Sequence, residues 1–531
     1  MKKLLAMLLA VAMVLGLAAC GSKAPAAAEP AAPAAPAATE PAAPAAESAL
    51  DPVTLRVWFH GSNVTPDASA KVMESLNPIL QEKLNVTLEP IWGTWGDFDT
   101  ATTTDLQGGA TADIYFTCNW SGNEYNKYAR DGYWVKLDDM LDTYAPELKA
   151  LIPEAIWNSA VTNGIDGEGI YGVPGLKDTA TSNCWDVNGA LLEELGYNID
   201  DVKANGLDYF SAEFEEMMQK AKDAKGADFY PLLIEPAVLE RMVTVTAIVT
   251  GDLNGANVLS YYYDAEHPSK DIGSKIVNKY GTEEFKAFAE KTYEYAQKGF
   301  ISPECQNTET ANDYRTACQT KAEYLFGTQS YSYGWEKDGS VLARGNNAFF
   351  VPSSAPYMDA TSGQGAMMAI SATSANPERA LMFLNLLNTD SEVMTMLNLG
   401  VEGYTYTKND DGTITMTDAY ANEYHPWTNG MGNVRLLPAT ADQGLGFYEE
   451  FAKFYESAEA TPMGTYIFDS SDVSSAAATV SNVYAKYAMN LMSGAVDPAT
   501  ELPKFLEELD AAGINEIVDT ANAQLDAFLA G

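Results

Sequence analysis

The spacing of hydrophobic residues alternates between strand-like and helical patterns through the first part of the globular region. Residues 53–59 are rich in β-branched and aromatic side chains, which predicts a strand. Apolar positions at helical spacing over 72–84 predict the helix that follows, and two more strands are predicted over 85–91 and 113–117. Strands that alternate with helices indicate parallel β-α-β units with right-handed crossovers, and so an α/β fold.

The ends of these three strands carry aromatic and polar side chains. His60 follows the first strand, Trp92 and Trp95 follow the second, and Asn119 and Trp120 follow the third. In open α/β sheets, ligands bind outside the carboxyl ends of the strands. This edge is therefore the first place where we expect a binding site.

Later segments predict further elements. Short strands over 170–174 and 346–352 each end in proline and are candidates for crossings between lobes. The alternating residues on both sides of an Asp-Gly dipeptide predict a hairpin over 404–416. Residues 514–529 have apolar positions at helical spacing, which predicts a C-terminal amphipathic helix.

The N-terminal fifty residues have a different composition. Two lysines precede a short apolar run that ends in Leu-Ala-Ala-Cys20, the layout of an export signal over residues 1–20. The ending resembles the bacterial lipoprotein box, which would make Cys20 the lipidated first residue of the mature protein. Residues 21–50 are almost wholly Ala, Pro and Glu, and this composition predicts a tether without a core.

Composition limits the classes of function. The chain has 531 residues, 47% of them hydrophobic, which indicates two or three folded domains. Its net charge of −41 repels phosphate backbones, so we expect no nucleic-acid partner. The three histidines leave little material for histidine-based metal or acid–base chemistry.

No motif in the chain predicts catalysis, a metal site or a cofactor. The H-E-x-x-H, G-x-S-x-G, Walker A and G-x-G-x-x-G patterns are missing from the sequence, and we expect a protein that is not an enzyme. The later cysteines fit no zinc spacing, and both a disulfide and buried free thiols remain open for them. These cysteines are Cys118, Cys184, Cys305 and Cys318.

Several motifs, in their order along the chain, resemble the family 1 extracellular solute-binding proteins of bacterial ABC importers, the maltose-binding-protein-like group. The region 427–514 is similar to the LplA-like lipoprotein subgroup, with its C-terminal domain of unassigned role. The family motifs lie at 109–117, 125–132, 137–146, 169–174 and 369–387.

The resemblance implies a two-lobed periplasmic-binding-protein type II fold with a cleft between the lobes and hinge strands joining them. Lobe one is expected to comprise 51–174 and 358–400. Lobe two is expected to comprise 175–357 and 401–531.

The resemblance also implies where a ligand is held. Trp120 and Trp335 match family positions that face the cleft, one from each lobe, and aromatic rings suit the apolar faces of sugars. A place in the core is an equal alternative for Trp92, Trp185 and Trp427. The remaining predicted ligand residues are Asn119, Glu336, Asp178, Asp186 and His60.

The expected function is that of a monomeric receptor, lipid-anchored on the outer face of the cytoplasmic membrane. It would capture an oligosaccharide and deliver it to the permease subunits of an ABC importer. One alternative is the same fold binding a peptide, an amino acid or another small solute. The other is a surface sensor or polysaccharide-degrading protein without a transport role.

Overall fold

The computed structural model describes residues 50–530, except 123, 245, 252, 254, 265, 267–270, 308 and 309. The predictions for the signal sequence, for Cys20 and for the tether lie outside these residues. None of the helices in the described part is both long and apolar enough to cross a membrane.

The strands follow the predicted order in the first part of the chain and continue far beyond it. The three predicted N-terminal strands and the hairpin are all present. The strands are β1 (Val53–Val64), β2 (Val86–Gly93), β3 (Ile114–Thr117), β4 (Val161–Gly164), β5 (Gly167–Ile170), β6 (Val173–Pro174), β7 (Asn183–Val187), β8 (Leu232–Leu233), β9 (Thr246–Ile248), β10 (Leu259–Tyr263), β11 (Asp271–Asn278), β12 (Phe326–Ser330), β13 (Phe349–Pro352), β14 (Tyr357–Met358), β15 (Met367–Ile370), β16 (Tyr406–Lys408), β17 (Ile414–Met416), β18 (Tyr424–Pro426) and β19 (Glu459–Ala460).

The helices lie between the strands along the chain and form most of the C-terminal region. They are α1 (Pro66–Leu84), α2 (Phe98–Gln107), α3 (Tyr125–Arg130), α4 (Asp138–Tyr144), α5 (Pro146–Leu151), α6 (Glu154–Ser159), α7 (Gly189–Glu194), α8 (Ile199–Asn205), α9 (Ala212–Lys225), α10 (Pro236–Val243), α11 (Glu283–Gln297), α12 (Ala311–Lys321), α13 (Gly339–Leu342), α14 (Pro377–Thr389), α15 (Ser391–Leu399), α16 (Asp418–Asn422), α17 (Phe447–Glu456), α18 (Ser474–Met492), α19 (Pro498–Ala512) and α20 (Ile514–Ala530).

The first sheet has the order β18-β1-β3-β15-β6, and β2 also pairs with β1. Strands β2 and β3 run parallel to β1, as the alternation of strands and helices predicts. The C-terminal strand β18 runs antiparallel to the last part of β1, with Gly61 opposite Pro426 and Val64 opposite Tyr424. Residues far apart in the chain therefore meet at the end of β1.

A second sheet has the order β13-β7-β12-β8, and a third has the order β11-β10-β9. In the second sheet, β7 runs antiparallel to both of its neighbours. The side chains of Trp185 and Val187 on β7 lie in a large core that also contains residues of α18, α19 and α20. The C-terminal helices are therefore part of this second core.

The hydrophobic cores correct one expected boundary. The segment from 401 to 455, which we expected in lobe two, contributes Tyr406, Ile414, Tyr424 and Phe451 to the core of lobe one. Residues from Met463 to the C-terminal helices do pack in the core of lobe two. The reason is the long-range pairing of β18 with β1, which the local pattern of the sequence does not contain.

The extended segments that connect the two cores pair with one another. Thr181 and Tyr357 exchange both backbone hydrogen bonds, at 2.7 and 3.0 Å. Strand β14 also pairs in parallel with β19, so a third segment joins these two. Next to them, Gly175 N donates to Ala366 O at 2.9 Å. These short, paired segments fit the expected hinge.

Candidate ligand-binding site

The carboxyl ends of β1 and β2 lie side by side because the two strands are parallel. Phe59 is opposite Trp92 and His60 is opposite Gly93 in the register of the pair. Trp427 follows β18, and its backbone N–H donates to the carbonyl oxygen of His60 at 3.1 Å. Sheet pairing alone thus brings residues from distant parts of the chain to one edge.

Three tryptophans form a surface at this edge, which we call the tryptophan platform: Trp95, Trp120 and Trp427. The rings of Trp95 and Trp120 lie 6.2 Å apart with only 28° between their planes. Trp427 meets both rings edge-on, at 5.0 and 5.8 Å. Trp95 is 54% exposed and Trp120 is 52% exposed. Large aromatic rings are rarely left this open to water, so the platform has surface available for a ligand.

His60 lies beneath the platform as a packing residue. It is 4% exposed, and its ring is 3.9 Å from the ring of Trp95 and 4.9 Å from that of Phe98. Burial lowers the pKa of His60 to about 4, against the opposing effect of Asp99 and Asp97. The imidazole is therefore uncharged at neutral pH. Its place under the rings supports Trp95 rather than presenting His60 to a ligand.

Trp120 is held in place through its polar atom and its loop. Its indole Nε1 donates to the carbonyl oxygen of Gly365 at 2.7 Å. The neighbouring backbone N–H of Asn119 donates to the carbonyl oxygen of Gln364 at 3.1 Å. The backbone N–H of Gly122, two residues after Trp120, donates to the Asp99 carboxylate at 2.9 Å. These bonds orient one edge of the ring and leave its face open.

A series of polar side chains connects the platform with the second lobe. A Cβ atom on Gly365 would lie 3.4 Å from Lys177 Nζ, so this lysine is next to the acceptor of Trp120. Lys177 forms an ion pair with Asp178. The hydroxyl of Ser332 in turn donates to Asp178 at 3.1 Å. Asp178 is thus placed beside the hinge, between the platform and the loop that carries Trp335.

Trp335 and Glu336 begin a short 3-10 helix (Trp335–Lys337), in a loop region of the second lobe. The half-buried ring of Trp335 contacts Phe350 at 6.0 Å between ring centres. The loop is fixed against α17, because Tyr333 N donates to the hydroxyl of Tyr455 at 3.1 Å. Contact of Trp335 and Glu336 with a ligand stays a prediction.

The positions of Trp185 and Asp186 correct two of the predicted ligand residues. Trp185 is 2% exposed and packs against Phe214 in the core of lobe two. Asp186 is fully buried and accepts a hydrogen bond from Arg344 at 2.7 Å. Burial raises the pKa of Asp186, and the charge of Arg344 opposes that shift. Both side chains serve packing or charge pairing inside lobe two.

Trp92 lies near the platform in sequence but packs elsewhere. Its indole Nε1 donates to Ser69 Oγ of α1 at 3.1 Å, and its ring stacks on Phe59 at 5.2 Å. Trp95, which the sequence places at the same edge but which is not among the predicted ligand residues, takes the position at the platform. The Trp-Gly pair occurs at both positions of the Trp-Gly-Thr-Trp-Gly segment, so the local sequence marks the strand end without telling the two rings apart.

The comparison with known families identifies the chain. The family described as bacterial extracellular solute-binding protein matches residues 67–394, more than half of the chain. The chain belongs to this family. Its members are binding proteins rather than enzymes and act outside the cytoplasm. A domain of unknown function matches residues 462–530, which overlaps the region 427–514 where the resemblance predicted a C-terminal domain of unassigned role.

Similar proteins support the two-lobed fold. A carbohydrate ABC transporter substrate-binding protein of Streptococcus pneumoniae serotype 4 is 25% identical over 470 residues, covering 87% of this chain and 89% of that protein. The crystal structure of the N-glycan transport solute binding protein NgtS from the same species has a TM-score of 0.74 at 22% identity, covering 91% of this chain and all of that one. The alginate-binding protein AlgQ2 has a TM-score of 0.59 at 14% identity, covering 91% of this chain and all of that one.

Across residues 50–530, apart from the omitted positions, no group of three or more His, Cys, Asp or Glu side chains is arranged to hold an ion. In the same part of the chain, the four cysteines are buried free thiols.

Proposed function

We propose that this solute-binding protein captures an oligosaccharide on the tryptophan platform and delivers it to an ABC importer. The observation that carries the proposal is the pair of half-exposed, nearly parallel rings of Trp95 and Trp120 at the carboxyl edge of the first sheet. Sugar rings have apolar C–H faces, which such aromatic surfaces bury. The S. pneumoniae relative named as a carbohydrate transporter component points to the same class of ligand.

A ligand screen tests this function. The folded protein is melted in the presence of neutral oligosaccharides, peptides and free amino acids, and hits are titrated by tryptophan fluorescence. We expect oligosaccharides to raise the melting temperature, because a ligand that binds only the folded state stabilises it. Stabilisation by peptides or amino acids, with no response to any glycan, would overturn the proposal.

We also propose that Cys20 carries the lipid anchor and that residues 21–50 hold the body away from the membrane. The export signal and the Leu-Ala-Ala-Cys20 ending support this proposal. Since acyl chains would be the sole attachment, Cys20→Ser should move the protein from the membrane fraction to the soluble fraction. Retention of the variant in washed membranes would contradict the anchor.

A further inference from the structure

Two carboxylates lie beside the tryptophan platform, both on the segment that follows Trp95. Asp97 and Asp99 are exposed and lie two and four residues after Trp95, close enough to His60 to oppose the lowering of its pKa by burial. Asp97 accepts a hydrogen bond from Thr94 N at 2.7 Å. Hydrogen bonds from Thr94 lower the pKa of Asp97, so it is an anion at neutral pH. As the hydrogen bond from Gly122 shows, Asp99 lies against the loop of Trp120.

The cations that the contacts bring towards the predicted ligand residues already have partners. Lys177, next to the acceptor of Trp120, is paired with Asp178, and its side chain is only 11% exposed. Arg344 is paired with the buried Asp186. Lys337, two residues after Trp335, donates to the carbonyl oxygen of Gln443 at 2.9 Å. With His60 uncharged, Asp97 and Asp99 are the charged groups that the described contacts place directly beside the platform.

Recognition of an acidic sugar needs the opposite arrangement. Proteins hold carboxylates with free arginine or lysine side chains that donate charged hydrogen bonds. Within the described part of the chain, a uronate seated on the platform would meet Asp97 and Asp99, while Lys177, Arg344 and Lys337 already hold other partners. We infer that the platform accepts uncharged oligosaccharides and rejects acidic ones. The inference rests on the proposed function and adds the class of glycan to it.

The test compares glycans that differ only in charge. A panel of neutral manno-, gluco- and fructo-oligosaccharides is titrated by fluorescence and calorimetry. For each glycan that binds, the primary hydroxyls are oxidised to carboxylates, and part of that product is converted to its uncharged methyl ester. The ester controls for the loss of the hydroxyl and for added bulk. We expect the oxidised form to bind about tenfold more weakly than its ester at low salt, since like charges at this range repel moderately.

Variants and salt identify the cause of the discrimination. The double variant Asp97→Asn/Asp99→Asn keeps an acceptor oxygen at each position and removes both charges. This variant should reduce the difference in affinity between the ester and the oxidised glycan several-fold. High salt should also reduce the difference in affinity between the ester and the oxidised glycan, because salt screens the repulsion. This measurement uses the unchanged protein and so does not depend on a substitution. The control is Asp526→Asn, an exposed position on α20. It removes one carboxylate charge by the same type of substitution in lobe two and should leave the difference in affinity between ester and carboxylate as it was.

The outcomes separate the inference from the function. Equal or tighter binding of the oxidised glycan, relative to its ester, would overturn the inference while leaving the oligosaccharide receptor intact. A gap that neither salt nor the double variant changes would also overturn it, because the exclusion would then be steric. If no neutral glycan in the panel binds, the proposed function fails and the inference fails with it.

Discussion

At the scale of single residues, exposure separates the tryptophans into two groups. Trp95 and Trp120 are half-exposed, whereas Trp134 is 1% exposed and Trp185 is 2% exposed. Burying a large ring stabilises the fold, and an exposed ring contributes little to it until a ligand covers the ring. Substitution of an exposed tryptophan should therefore lower the affinity for a ligand and change stability little. Substitution of a buried tryptophan should lower the stability of the fold.

Trp120→Ala should weaken oligosaccharide binding by about 1–3 kcal/mol, roughly ten- to a hundredfold, because it removes apolar surface from the ligand. Its melting temperature should stay close to that of the unchanged protein. The contrasting variant is Trp134→Ala, which should lose about 3–5 kcal/mol of stability. Calorimetric titration and thermal melting measure both quantities. A large stability loss with unchanged affinity would assign Trp120 to packing.

His60 predicts a pH dependence of stability. Its pKa is about 4 in the folded protein, lowered from 6.5 by burial, so the unfolded chain takes up this proton at higher pH. The neutral His60 ring makes its full contribution to the free energy of unfolding above pH 6.5. This contribution, in total about 3 kcal/mol, is lost as the pH falls towards 4. Urea unfolding from pH 7 to pH 4 should show a steeper loss for the unchanged protein than for His60→Phe.

Nuclear magnetic resonance provides a direct check on the same histidine. The ring proton signal that disappears in His60→Phe should titrate near pH 4 in the unchanged protein. Titration near pH 6.5 would show that the ring is solvated, and it would contradict the packing role under the platform.

At the scale of elements, asparagine side chains from two helices form hydrogen bonds with the free backbone edges of the strands β2 and β11. Asn77 of α1 donates to Leu88 O at 3.3 Å and accepts from Leu88 N at 2.8 Å. Asn522 of α20 donates to Ile276 O at 2.8 Å and accepts from Ile276 N at 2.9 Å. Each amide takes the place of a neighbouring strand, which protects the edge of a sheet from pairing with another chain.

Removal of either amide should destabilise its own lobe. Asn77→Ala and Asn522→Ala each lose two hydrogen bonds to strand backbone, so we expect about 1–3 kcal/mol less stability in urea unfolding. Asn158→Ala, at an exposed position on α6, is the control and should change stability little. Values for all three variants within about 0.5 kcal/mol of zero would show that water replaces the asparagines at no cost.

At the scale of the whole molecule, the paired segments between the two cores allow movement at few points. The expected bending positions are 174–178 and 351–356, where the chain leaves β6 and β13. Hinge closure around a ligand is one of the common domain motions. X-ray scattering should therefore show a smaller radius of gyration with a saturating oligosaccharide from the screen. A glycan that fails to bind is the control, and an unchanged profile at saturation would exclude closure.

The domain matched at 462–530 is also understood at this scale. Its side chains Tyr466, Phe505 and Ile517 lie in the same core as Trp185 of β7. The ring of Phe505 is 4.8 Å from that of the buried Tyr280. This segment is therefore part of lobe two rather than a separate attachment.

The sequence by itself determined the elements whose signals are local. The strands and helix over 53–91, the hairpin around the Asp-Gly turn and the helix over 514–529 follow from residue spacing and turn chemistry, and all are present. The meeting of Trp95 and Trp120 at the carboxyl edge of the first sheet, where we propose the site, could be predicted because parallel strands end together. The family resemblance supplied the two-lobed fold.

Only the tertiary structure decided which tryptophans face water. Spacing could not show that β18 pairs with β1, which brings Trp427 to His60 and places residues 401–455 in lobe one. Nor could it distinguish Trp95 at the surface from Trp92 against α1, or show Trp185 inside lobe two. The exposure of a ring depends on contacts between distant segments, and these are set by the packing of the whole chain rather than by neighbouring residues.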